Sequence, residues 1–407
     1  MLKMIKNKDF NLLLLGRLIT NFGDSLYAIA ATLLVYKMSG STIYSGITLF
    51  LTSSTALVQL LLSPILDKIN MKKFLVLTQL IQAGLILIIP ALYYFYRLRV
   101  YHIMAIMPII ALINQLVYPG QMSLLPKILP EADLVKGNSL MNMAYQGSNA
   151  IFDSLAGFLI SVFGFMTAFF ADSLSFVITG ILFALLSKNL SQASVRSEGD
   201  LIRKHLRGLK EGLALFKDTR IFALLLGIVF INFSASSIMA VLPAFSKEEI
   251  FYSLMLAAMG GGVLVGSLLA GIEKIKAIPL GKLYTYGMGI VGLMWIGISF
   301  SSSNLALGVT LYGLGWLVVG IVNVYAQTMV QVLVPRDKLG SAMGTMVGIS
   351  TLMAPLGALL GGFMGEYLSS PRTILLASTI ILLVAIYWVA NKNIRKLPAV
   401  NKVGDLG

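Results

Sequence analysis

Long apolar stretches alternate with short polar breaks along almost the whole chain. Twelve segments are apolar over more than fifteen residues, near 11–36, 43–66, 74–96, 101–125, 137–162, 165–187, 220–245, 251–272, 279–300, 305–333, 340–365 and 373–391. A bilayer core about 30 Å thick needs roughly 20 apolar residues per helix. The runs are too long and too uniform for the alternating strands of a barrel, so the pattern predicts an all-α membrane protein with twelve transmembrane helices.

The polar breaks are unequal. The longest runs from Lys188 to about Thr219 and divides six spans from six. This sets the expected organisation: an N-terminal six-helix bundle over 1–187, a linker over 188–219, and a C-terminal six-helix bundle with a short tail over 220–407. Within the linker, Leu201, Leu206, Leu209, Leu213 and Phe216 recur at helical spacing. That predicts an amphipathic helix lying on the membrane surface.

A weak internal repeat supports two equivalent halves. Leu15-Gly16, Asn21-Phe22 and Ser25 are matched 211 residues later by Leu226-Gly227, Asn232-Phe233 and Ser236. Pro130, Asp133 and Leu134 reappear 205 residues on as Pro335, Asp337 (shifted by one) and Leu339, and Gly157 falls on Gly362. Parallel six-helix halves of this kind pack around a midplane cavity and open alternately to either side. The first repeat carries one difference: Asp24 stands where the second copy has Ala235.

Composition sharpens the class. The 407 residues are 57% hydrophobic and 12% charged, against about 25% charged in a soluble domain. A net charge of +14 would suit nucleic acid, but its placement does not. With the N-terminus inside, only five of the 31 Lys and Arg (Lys37, Arg97, Arg99, Lys247 and Arg372) fall on the outer side. That asymmetry predicts a multi-pass protein with both termini in the cytoplasm, its basic excess serving topology and anionic lipid rather than nucleic acid. Lys3, Lys6 and Lys8 precede a segment that looks like a first span, so no cleavable signal is expected. The absence of cysteine excludes disulfides and thiolate metal sites.

Four motifs then carry a family resemblance. The loop after the second span reads Ser63-Pro64-Ile65-Leu66-Asp67-Lys68-Ile69-Asn70-Met71-Lys72-Lys73. It is similar to the G-x-x-x-D-R-x-G-R-[RK] loop of the major facilitator superfamily, matching at Asp67, Lys68 and Lys72. Tyr118-Pro119-Gly120, the Asp172-Ser173-Leu174-Ser175-Phe176 run, and Leu209-Lys210-Glu211-Gly212-Leu213 resemble the macrolide-efflux-like branch of bacterial drug:proton antiporters, which also includes siderophore exporters. The resemblance implies the major facilitator fold, two pseudo-symmetric six-helix halves, in the bacterial plasma membrane. It implies export of a small amphiphilic solute against protons, acting as a monomer. It also gives Asp67, Lys68 and Lys72 the role of a charged cytoplasmic latch that forms in one state and breaks in the other.

An ionised side chain in a span costs roughly 2.5–3.5 kcal/mol on insertion scales. A carboxyl that is neutral in one state and ionised in another is therefore a natural proton carrier. Asp24 and Asp153 are the proton-coupling candidates; Asp172 is read as a structural hydrogen-bond acceptor. Arg17, Asn21, Asp24 and Ala28 share one helical face. Arg17 lies about 10 Å along the axis from Asp24 at 1.5 Å per residue, so no direct ion pair is expected between them. Asp153 ends a polar stripe of Asn138, Asn142, Tyr145, Gln146 and Asn149, and is expected nearer the outer side than Asp24.

The solute cavity is expected to draw on Asn21 and Tyr27, on Asn114, Gln115 and Tyr118, on Asn142, Gln146 and Asn149, on Asn232 and Ser236, and on Trp316, Asn323 and Gln327. Aromatic and amide groups with few fixed charges suit an amphiphilic solute. No metal, cofactor or enzyme active site is expected: His102 and His205 are solitary, and no nucleophile, base or ligand cluster accompanies them. Two other readings stand beside efflux of a drug-like compound. One is export or flipping of lipid, siderophore or peptide; the other is a non-transporting membrane receptor or immunity protein.

Overall fold

The computed structural model describes residues 7–62, 69–144, 149–187, 219–333 and 348–399. They form helices α1 (Lys8–Ser39), α2 (Thr42–Leu62), α3 (Met71–Tyr94), α4 (Val100–Ile128), α5 (Glu131–Asn142), α6 (Asn149–Ala184), α7 (Thr219–Ser246) and α8 (Glu249–Leu269). After a single turn at Glu273–Lys276 come α9 (Met288–Ser299), α10 (Leu305–Leu333), α11 (Ala354–Leu368), α12 (Ser370–Ala390) and the short α13 (Lys392–Arg395). Among the described residues, nine helices are long and apolar enough to cross a membrane.

The helix boundaries follow local chemistry. Asn7 caps α1, its side chain accepting from the Phe10 N–H, and Gly40 ends the helix at φ 66°. That left-handed backbone is one glycine adopts without a Cβ penalty. Asn70 caps α3 in the same way. The expected break between the fifth and sixth spans appears inside α6 as Gly164 at φ 81°. The expected ninth span, 279–300, is less regular than its hydropathy suggests. A turn at Leu280–Lys282 runs into a π-helical turn at Leu283–Gly287 before α9 begins. The linker helix at 201–216 lies outside the described residues.

The chain divides into two compact units. The first comprises residues up to Gly40 and Leu51–Glu198; the second comprises Ser41–Phe50 and Gly199 onwards. In the first unit α6 packs against α1 and α3, and α4 against α1 and α3. Phe10, Leu13, Leu75, Leu124 and Phe183 are buried together in one hydrophobic cluster of this unit. In the second unit α7 packs against α11 and α12, α10 against α8 and α9, and α9 against α12. Small residues permit the close contacts. Gly262 and Gly266 face the α10 backbone at Gly313 and Leu317, while Gly357 and Gly361 face the α7 backbone at Phe233 and Ser237. Packing and interhelical hydrogen bonds drive helix association in lipid, and both need such close approach.

The second unit takes in the start of α2 for the same reason. Gly46 meets Gly362 backbone to backbone, and Thr42 Oγ1 donates to the Gly362 carbonyl at 2.8 Å. The Glu366 carboxylate accepts from Ser41 Oγ at 2.8 Å and from the Thr42 N–H at 3.1 Å. An acid at a helix N-terminus satisfies free N–H groups and complements the helix dipole.

Candidate functional site

The repeat of the opening helices has a structural meaning in each unit. Gly16 leaves no room for a Cβ against the Phe183 ring, and Gly227 leaves none against the Trp388 ring. Asn21 Nδ2 donates to the Ala144 carbonyl at 2.6 Å; Asn232 Nδ2 donates to the Ser350 carbonyl at 2.8 Å. The glycine of each repeat thus seats an aromatic ring of its unit's last membrane helix. The asparagine ties the helix to a main chain 123 or 118 residues further on. Phe183 and Trp388 are themselves 205 residues apart, the offset of the second repeat. Asn21 and Asn232 are accordingly helix-packing groups in this conformation.

The acids break this symmetry. Asp24 corresponds to Ala235 at the first offset, while Asp153 and Asp172 correspond to Ala358 and Ala377 at the second. All three carboxylates of the first unit's spans are alanines in the second.

Asp24 is held from two sides. Its Oδ2 pairs with Arg17 Nη2 at 3.1 Å, with the Arg17 side chain 2% exposed and that of Asp24 23%. This overturns the expectation that the two would not pair. Seven residues nearly complete two turns of 3.6, so both side chains leave the same face, and the long arginine side chain runs along the helix to cover the axial gap. On the other side, Asn114 Nδ2 of α4 donates to Asp24 Oδ1 at 2.8 Å. Asn114 Oδ1 accepts from Gln82 Nε2 at 2.7 Å, and Gln82 Oε1 accepts from Gln79 Nε2 at 3.3 Å. Gln79 and Gln82 lie on α3 and are fully buried. The result is a polar chain across three helices, Gln79 to Gln82 to Asn114 to Asp24, with every donor directed toward the carboxylate and Arg17 closing it.

Asp153 joins the same region, accepting a hydrogen bond from the Ser25 hydroxyl. Ser25 follows Asp24 directly, so Asp153 meets α1 one residue beyond Asp24. Asp172 is fully buried on α6, where Ser175 Oγ donates to its Oδ1 at 3.3 Å. Gly23 packs onto these two side chains with no space for a Cβ. Tyr27 is buried, with its ring edge-on to Phe169.

Gln115 and Tyr118 are half-buried on α4. Ser236 is half-buried on α7, and Asn323 is exposed on α10. Trp316 packs at a tilt against Trp295 and edge-on to Tyr312, ring centroids 5.3 and 6.0 Å away; the Tyr312 hydroxyl donates to the Met239 sulfur. Lys72 donates to the Leu186 carbonyl just after α6. Its expected latch partners, Asp67 and Lys68, lie outside the described residues, as do Gln146 and the side chains of Asn142, Asn149 and Gln327. Among the described residues, no group of three His, Asp or Glu is placed to hold a metal ion.

Sequence reasoning missed Gln79 and Gln82. Their signal is a pair of amides three residues apart in a helix that from Phe74 to Ala91 is otherwise apolar but for Thr78. Unpartnered amides are costly in hydrocarbon, and that spacing puts both on one face.

Comparison with known proteins places this architecture. The family model described as the Major Facilitator Superfamily matches residues 13–358. The chain belongs to the major facilitator superfamily. It is 23% identical over 410 residues to the MFS-type transporter YfiS of Bacillus subtilis (strain 168), covering 95% of this chain and 94% of that one. It is 26% identical over 347 residues to macrolide efflux protein A of Streptococcus pyogenes, covering 82% and 83%. Among solved structures, it resembles the nucleoside transporter NupG with a TM-score of 0.71 at 14% identity, covering 94% of this chain and 98% of that one. It resembles a bacterial homolog of the human lysosomal transporter Spinster with a TM-score of 0.70 at 12% identity, covering 95% and 97%. The protein is thus a multi-pass membrane transporter of this family.

Proposed function

We propose that this transporter exports hydrophobic or amphiphilic small molecules by alternating access, driven by inward proton movement, with Asp24 as the principal proton site. The carrying observation is the polar chain that ends on Asp24. Similarity to macrolide efflux protein A supports the direction and the solute class. The positive-inside asymmetry supports a plasma-membrane protein with both termini in the cytoplasm.

The chain responds to a proton because its donors all point one way. Ionised Asp24 is acceptor-only and satisfies both Arg17 and Asn114. Protonated Asp24 has an O–H to donate, so it loses the charge that holds Arg17. A proton on Oδ2 sets that O–H against the donor-only guanidinium while Oδ1 still accepts from Asn114; a proton on Oδ1 instead makes Asn114 turn its amide to accept, and Gln82 follow. Arg17, 2% exposed in its side chain, loses the charge of this carboxylate, and neutralising one member of a buried ion pair is destabilising. The loaded state therefore favours a rearrangement of α1 against α3 and α4, and in the proposed cycle this rearrangement accompanies solute release outside. The second unit, with alanines at the three equivalent positions, serves mainly to shape the solute site.

The test is Asp24→Asn in inside-out vesicles energised with a pH gradient. Proton-driven export is lost while solute binding is retained. Full proton-driven export by the variant would remove Asp24 from the coupling role.

A further inference from the structure

The second unit carries a large groove that the proposed proton pathway does not use. Its volume is about 730 Å³, and it is walled by α7, α11 and α12, with Leu226, Phe230, Leu356, Leu360, Leu383 and Tyr387 among its lining residues. This is within the range of small-molecule sites, about 300–1,000 Å³. Such sites orient their ligands with a few convergent polar groups. Here the wall is apolar throughout except for the Tyr387 hydroxyl. Leu226, Phe230, Leu356, Leu360 and Leu383 are each between a third and three-fifths exposed. A groove of this kind on spanning helices takes hydrocarbon and selects nothing by itself.

Its one polar end is different. The Tyr387 hydroxyl accepts from Asn391 Nδ2 at 3.3 Å. Asn391 begins the turn of α13, which carries Lys392 and Arg395, with Lys396 next; all three cations are exposed. That segment is anchored. Ile394 is fully buried, and the Leu280 and Gly281 N–H groups donate to the Pro398 and Leu397 carbonyls. A basic cluster thus stands in a defined position where the apolar groove meets the end of α12.

We infer that this groove is a binding site for an anionic glycerophospholipid, with acyl chains against α7, α11 and α12, and the phosphate at Lys392 and Arg395. The combination is what a phospholipid needs and a free solute does not: an open apolar trough, a single hydroxyl at glycerol depth, then fixed cations. Basic clusters immediately beyond a membrane helix attract anionic head groups. The α7 wall includes Gly227, whose close contact with Trp388 holds α7 and α12 together. A lipid seated here would brace the first and last helices of the second unit.

The test uses the full-length protein, delipidated in detergent and supplied with phosphatidylglycerol or phosphatidylcholine of identical acyl chains. Native mass spectrometry counts retained lipid, and a photoactivatable phosphatidylglycerol maps the contact. Wild type retains phosphatidylglycerol preferentially and labels peptides of α7, α11 and α12. K392Q/R395Q lowers that preference by about thirtyfold, since each of the two cations near an anionic head group is worth on the order of 1 kcal/mol. L383W, which fills the groove, reduces retention of both lipids. Glycerol phosphate, which lacks acyl chains, does not compete. Equal retention of the two lipids by wild type, or an unchanged preference in K392Q/R395Q, overturns the proposal. So does labelling that falls mainly outside these three helices and the adjoining α13, a readout that does not depend on any variant folding. Displacement of the lipid by a transported solute would make the groove a substrate site and equally overturn it.

Discussion

The pairing of Arg17 with Asp24 leads to a prediction with a distinctive signature. Asp24→Asn keeps the shape and the Asn114 contact but removes the carboxylate charge paired with the buried guanidinium. Removing one member of a buried pair costs about 3–5 kcal/mol. The 23% exposure of the Asp24 side chain, against 2% for Arg17, admits some solvent screening, so the lower end, about 3 kcal/mol, is expected. Arg17→Gln leaves the better solvated carboxylate, which also keeps its Asn114 donor, and costs less, about 2 kcal/mol. The double variant R17Q/D24N removes both charges, and neutral replacement of a buried pair is often near neutral. It is therefore expected to recover most of the loss, with a coupling of about 2 kcal/mol or more between the sites. Thermal unfolding in a single detergent, following intrinsic fluorescence, provides the cycle. Additive losses, or a double variant less stable than D24N alone, would refute the ion pair as described. Transport separates the roles further. The double variant is expected to be folded and still uncoupled from protons, which a purely structural pair would not produce.

Two further predictions concern the packing of the helices. Asn21→Ala and Asn232→Ala each remove one interhelical hydrogen bond to a backbone carbonyl. Each is expected to cost about 1 kcal/mol, within the roughly 0.6–1.7 measured for such bonds in membrane proteins, and the two losses should be alike; a loss at only one site would argue against equivalent roles. Gly46 faces the backbone of Gly362 and Ala358 rather than a movable side chain. Gly46→Leu should therefore separate α2 from α11 at a cost of about 1–3 kcal/mol, as for overpacking elsewhere, while Leu51→Ala on the exposed face of the same helix should be nearly silent; equal melting temperatures for the two variants would show that the contact is not tight.

Much of this architecture can be read without coordinates, because hydropathy in a membrane is a local property. A residue in a span faces either lipid or protein, and both favour apolar groups, so span positions follow from composition alone. The break at Gly164 and the caps at Asn7 and Gly40 are likewise local, set by one residue's backbone freedom or one side chain's hydrogen bond. The repeat of Gly16, Asn21 and Ser25 as Gly227, Asn232 and Ser236 was visible as a pattern. Its meaning was not, because the ring that each glycine seats and the carbonyl that each asparagine holds lie more than a hundred residues away.

The candidate site divides in the same way. Asp24 stands out in one dimension as an acid in an apolar helix whose repeat has alanine. Its partners depend on which helices are neighbours and on where a long side chain is directed, and hydropathy contains neither. Axial rise alone argued against the Arg17–Asp24 pair, because it measures Cα separation and not the reach of a guanidinium. The α3 amides gained significance only once α3 and α4 were side by side, bringing Gln82 to Asn114 and Asn114 to Asp24. The sequence by itself determined that this chain crosses the membrane many times, in two related halves, with an unmatched acid in the first helix. Tertiary structure alone decided what that acid touches, since a buried charge is stabilised by specific donors at hydrogen-bond distance and those are assembled only when separate helices pack.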